Sequence, residues 1–237
     1  MQRNEKQAEV LKQLQSLVDP KYQEFCLNLS KDGNGRLLGV RLPKIRKIIK
    51  KLFKQEKIED LLSPLPTDAY YEEKFVKAII IGQLDINEKE RLKLVKDFIE
   101  TIDCWAICDP FCGGLKSARK HQEVYYNFIK PYFQQTEHPY QVRFACVMSL
   151  IYFCDDQYLD EIFSFIDGID TSHYYVHMAV AWLIATLYCA NKDRTISKLL
   201  EINIDKKTFN KALQKIVESH IPTAQDKEYV KTLKRKI

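Results

Sequence analysis

Apolar residues along this chain recur at intervals of three and four, and no stretch alternates apolar with polar residues between hairpin turns. The pattern therefore predicts helices throughout and no strands. A first helix is expected from about Asn4 to Leu17, and Asp19-Pro20 opens a second that carries Tyr22, Phe25, Cys26 and Leu29 on one side. Lys31-Asp32-Gly33-Asn34-Gly35-Arg36 breaks the pattern and reads as a loop whose glycines can take positive φ. From Leu42 to Phe53 helical spacing returns, with Lys and Arg filling every position the apolar residues leave. A solvated face is the ordinary reading of such charge.

Further on, the pattern repeats. The segments Phe75 to Ile80, Val142 to Val147 and Val176 to Ala181 superpose on Ala78, Ala145 and Ala179, and the weaker Phe209 to Leu213 on Ala212. Gly113 stands where one unit is otherwise missing, so the aligned positions are 32 to 35 residues apart, a length that suits one helix pair per unit. The upstream helices of the pairs are expected at Glu88 to Thr101, His121 to Phe133, Tyr158 to Ile166 and Arg194 to Ile202. Small residues at equivalent places let neighbouring helices approach, and stacked pairs share a continuous core. The expected fold is an all-α solenoid forming a single domain over 1–237, with N-terminal helices and a Gly-Asn-Gly loop in 1–36 and stacked pairs in 37–237. Lys77, Arg143, His177 and Lys211 stand one or two residues before the aligned small residue, with Lys74 and Lys215 a turn away. Such an array would make a positive groove suited to duplex nucleic acid.

Composition narrows the class. With 237 residues, 46% hydrophobic and 29% charged, the chain can bury a sizeable core. Its 37 Lys and Arg against 32 Asp and Glu permit a polyanionic partner without requiring one. Seven cysteines without paired spacing read as reduced thiols of a cytoplasmic protein. The polar N-terminus and the short apolar runs argue against export and against a membrane span. Neither a metal nor a cofactor is expected. Cys104, Cys108 and Cys112 offer one helical face with no obvious fourth ligand, His173 and His177 lack a third, and Gly33-Asn34-Gly35 does not match a nucleotide fingerprint.

Candidate chemistry concentrates in Asp103 to Gly114. On a helix Trp105 and Asp109 share a face, setting an indole beside a carboxylate. The bland alternative is strong: a tryptophan is usually core, and Asp directly before Pro110 is the ordinary pattern of an N-cap followed by proline at the first helical position.

Trp105, Asp109, Arg143 and Trp182 fall on successive expected lining helices, 38 and 39 residues separating Trp105, Arg143 and Trp182. This constellation resembles the AlkD-like DNA alkylation repair family of HEAT-like repeat proteins over nearly the whole chain. Gly39-Val40-Arg41-Leu42-Pro43-Lys44-Ile45-Arg46 is similar to the family's early Gly-Val-x-x-Pro-x-x-Arg signature, and Trp105 to Asp109 to its Trp-x-x-x-Asp stretch. Val142 to Ala145 is similar to its Arg-bearing helix, and Tyr174 to Trp182 to its later aromatic helix. The resemblance implies a right-handed HEAT-like solenoid with a concave basic groove, acting as a monomer on duplex DNA to excise cationic alkylpurines such as 3-methyladenine and 7-methylguanine. It implies Asp109, Trp105 and Trp182 as catalytic residues and Arg143 as a phosphate contact, and with the repeated cations the expected DNA contacts are Arg143, Lys77, His177, Lys211, Arg46 and Tyr22. The alternatives are a DNA-binding relative without glycosylase activity and a helical protein-binding scaffold.

Overall fold

The computed structural model describes residues 2–29 and 36–235, and they pack as two compact units, Met1–Ser117 and Ala118–Ile237. The Gly33-Asn34-Gly35 segment lies outside the described residues. Among the described residues the secondary structure is helical with no strand, and no helix is long and apolar enough to cross a membrane.

The first unit holds α1 (Glu5–Gln15), α2 (Pro20–Leu29), α3 (Leu42–Leu52), α4 (Tyr71–Gln83), α5 (Glu88–Ile99) and α6 (Trp105–Gly114). Local chemistry starts most of these where the pattern does. Asn4 and Gln7 close a capping box on α1, the Asp19 carboxylate accepts the Tyr22 N–H at 3.1 Å, and Asn87 caps α5. In α3 the residues Ile45, Ile48, Ile49 and Leu52 form the buried stripe, and the cations take the other side. At the centre α4 packs against α1, α3, α5, α6 and the 3-10 turn Ile58–Leu62. Arg3 of the N-terminal segment makes a two-pronged pair with Glu73 at 2.8 and 2.9 Å, so the first helix is tied into this unit.

The second unit holds α7 (Gln122–Ile129) with a 3-10 turn Lys130–Gln134, then α8 (Pro139–Tyr152), α9 (Asp156–Ile166), α10 (Tyr174–Ala190), α11 (Lys192–Glu201), α12 (Lys206–Glu218) and α13 (Ala224–Thr232). No Lys, Arg, Asp or Glu occurs in α10, which reads as a helix meant for the interior, and it packs against both α8 and α12. Amphipathic α9 and α11 flank it, held to each other through Arg194 with Asp156 and Asp160.

Ala78, Ala145, Ala179 and Ala212 are all buried, on α4, α8, α10 and α12. Gly113 behaves differently from the expected close contact: a Cβ there would meet nothing within 4 Å. The close approach is made instead by Gly82, whose Cβ would lie 2.7 Å from the Gly114 carbonyl oxygen, so α4 and α6 meet at Gly82 and Gly114.

Candidate functional site

In the first unit the site is built on α6. Asp109 is not the N-cap that the Asp-Pro pair suggests: Cys104 caps the helix, Trp105 is its first residue, and Pro110 lies inside it. A proline there cannot donate to the carbonyl one turn back, and the interior position ordinarily costs about 3 kcal/mol. The carbonyl left over is that of Ala106, and it accepts a hydrogen bond from the Tyr71 hydroxyl of α4 at 3.2 Å. That tertiary bond lets the helix run on, and it keeps Trp105 and Asp109 on one helical face. Trp105 is 37% exposed at the start of the helix, whereas Ile107, Cys108, Phe111 and Cys112 are buried. Just before it, Lys74 of α4 pairs with Asp103 at 2.6 Å and donates to the Thr101 carbonyl, which fixes where α6 begins.

The three cysteines are structural in character. Cys108 and Cys112 face the core, burial pushes the Cys104 thiol up to about 11, and among the described residues no three His, Cys, Asp or Glu side chains group as a metal site.

The Gly39 to Arg46 signature has a physical basis in the buried carboxylate of Glu72. Its Oε1 accepts the Gly39 and Val40 N–H groups at 2.8 and 3.0 Å, and its Oε2 accepts that of Leu38 at 3.0 Å. Gly39 has φ +87°, where a side chain is strained, and a Cβ would lie 2.6 Å from the Cβ of Gln23 on α2. The segment is thereby pressed against α2. Tyr22 sits half-buried beside it, with the Arg41 guanidinium 4.7 Å from its ring centre and Arg41 paired to Asp19 at 2.9 Å. Arg46 is exposed on α3.

In the second unit Trp182 is 38% exposed, although eleven of the residues on the same helix α10 are buried. Arg143 of α8 is only 5% exposed; its guanidinium donates to the Tyr175 carbonyl at 2.9 Å and lies over the Tyr175 ring. It joins α8 to the first turn of α10. Lys211 is half-buried and donates to Gln214 at 2.9 Å.

Like Arg143, two more of the expected lining cations turn inward. Lys77 is 7% exposed and gives its ammonium to the Ser63 carbonyl at 3.0 Å, with burial lowering its pKa. His177 is 2% exposed, and its Nδ1 lies 2.7 Å from the Thr208 hydroxyl of α12. As placed, neither projects a free cation into solvent, because each polar head has a protein partner within hydrogen-bond distance. Burial first, then Lys207, Lys211 and Lys215 outweighing Asp205, holds the His177 pKa below the ordinary histidine value of 6.5. The unfolded chain then binds the proton more readily, so stability present above about pH 6.5 is lost as the pH falls toward the folded pKa. Urea titrations at pH 7.5 and 5 should therefore show a smaller acid loss in His177→Gln than in wild type; equal losses would place the acid sensitivity elsewhere.

Sequence reasoning missed Glu72 and Tyr71. Acidic residues at a helix start are routinely solvated partners of its dipole, so Glu72-Glu73 carries no mark of burial. Tyr71 had one available signal, the orphan carbonyl that Pro110 would create if α6 ran through it.

The family model described as DNA alkylation repair enzyme matches residues 10–225. No curated protein matches the chain.

Proposed function

The chain belongs to the DNA alkylation repair enzyme family, and from that premise we propose that it binds duplex DNA and hydrolyses the N-glycosidic bond of cationic alkylpurines such as 3-methyladenine and 7-methylguanine. The observation that carries this reading is the placement of the tryptophans. The chain has two, and both stand exposed on helices most of whose other apolar side chains are buried, Trp105 on the same helical face as Asp109. At 37% and 38% exposed, each indole keeps part of its surface open to a ligand, and π-faces and a carboxylate suit a sugar that develops positive charge.

An alkylated purine already carries a positive charge and leaves as a neutral base, taking the electron pair of the bond to C1′. Asp109 stabilises the oxocarbenium-like sugar and orients water, which adds to C1′ and gives its proton to the carboxylate and on to solvent. Trp105 and Trp182 pack against deoxyribose and backbone. In this reading Tyr22, Arg46 and Lys211 add backbone contacts, and Arg143, Lys77 and His177 reach phosphate only if their buried heads are released. The HEAT-like pairing, the right-handed solenoid and a basic concave groove belong to the same reading, supported by the packing of α10 on α8 and α12.

Wild-type protein should bind unmodified duplex with little sequence preference, log affinity falling steadily with log salt, and should release 7-methylguanine from methylated duplex. Salt-dependent binding without release would assign the chain to a binding role, and no binding at low salt would reject the reading.

A further inference from the structure

Between α3, α4 and the C-terminal half of α6 lies a cleft of about 730 Å³, within the roughly 300–1,000 Å³ over which pockets take ligand-sized groups. Arg46, Lys50 and Lys54, each four residues from the next, line it with Lys116, and no carboxylate does. Among the described residues none of these four cations forms an ion pair. The C-terminal ends of α3, α4 and α6 add about half a negative charge each, less together than the four full positive charges. The cleft therefore attracts anions.

Charge alone fits any polyanion, but two other features narrow the occupant. Phe53 presents an exposed ring to the cleft beside the apolar Phe75 and Ile79. Gly113 and Gly114 leave its α6 wall bare: a Cβ on either would meet nothing within 4 Å, and neither has positive φ. Neither their own packing nor backbone conformation calls for two glycines that weaken the helix, whereas close approach by a ligand does. A duplex hides its base faces in the stack and offers phosphates and groove edges, which leaves the Phe53 ring without a partner. An unpaired nucleotide offers a phosphate and a base face together.

We propose that this cleft binds an unpaired DNA nucleotide continuous with the bound duplex, its phosphates on Arg46, Lys50, Lys54 and Lys116 and its base against Phe53 and the wall kept open by Gly113. The assignment rests on the DNA-binding reading above. It also fits the spacing along α6, where Gly113 lies about 6 Å beyond Asp109, less than two nucleotide rises of about 3.4 Å.

The test compares a blunt duplex with the same duplex carrying a single-stranded DNA or RNA tail, by fluorescence anisotropy at fixed salt. Wild type should bind the DNA-tailed probe about tenfold more tightly than the blunt one, the scale of one base stacked on an aromatic ring. Gly113→Leu, which fills open space, and Phe53→Ala should each abolish most of that preference while keeping blunt-duplex affinity within about threefold. Equal affinity of wild type for blunt and tailed probes overturns the proposal and leaves the DNA reading standing. A preference that survives both substitutions, or is stronger for RNA, overturns it too. Binding to none of the probes at low salt is the separate failure of the DNA reading itself.

Discussion

Asp109→Asn should lower release of 7-methylguanine from methylated duplex by roughly two orders of magnitude or more, the scale expected when a preorganised electrostatic group is lost. The substitution keeps shape and removes charge, so thermal melts and duplex affinity should remain close to wild type. The mid-helix position of Asp109 sharpens the comparison, because the N-cap position lies five residues earlier at Cys104. Release at the wild-type rate by Asp109→Asn would sink the mechanism, whatever the melts report.

Glu72→Ala should be among the most destabilising single changes in the first unit. It strips one carboxylate from three buried N–H groups, those of Leu38, Gly39 and Val40. A buried donor left unpaired costs about 1–3 kcal/mol, so a loss of at least about 3 kcal/mol is expected in urea unfolding. Glu72→Gln should fall between that and wild type, since one oxygen can still accept from Gly39 and Val40 while the amide nitrogen faces the Leu38 N–H. A loss under about 1 kcal/mol for Glu72→Ala would mean that water reaches these amides, and that the Gly39 to Arg46 segment is anchored by other contacts.

These two positions also mark how far the sequence could be read. Helical periodicity placed α3 almost to the residue, and the alanine alignment put Ala78, Ala145, Ala179 and Ala212 on buried helix faces, because burial of a stripe leaves a local record. The cap at Asp109 failed for a physical reason: what keeps α6 intact through Pro110 is a hydroxyl from a helix 35 residues away, invisible to any local rule. Lys77 and His177 were legible as cations but not as buried ones, since the Ser63 carbonyl and the Thr208 hydroxyl that meet them come from elsewhere in the chain. Exposure of Trp105 and Trp182 ran against the usual fate of tryptophan, and only the position of each on its helix reveals it.

The bond from Tyr71 to the Ala106 carbonyl has a consequence for substitution. Positions 71 and 110 are thereby coupled: proline at 110 leaves the Ala106 carbonyl without a helical N–H, and the hydroxyl from 71 supplies a donor in its place. Loss of the Tyr71 hydroxyl alone would leave the part-buried Ala106 carbonyl without that donor, and the change would be felt first in the one turn of helix that carries Trp105 and Asp109.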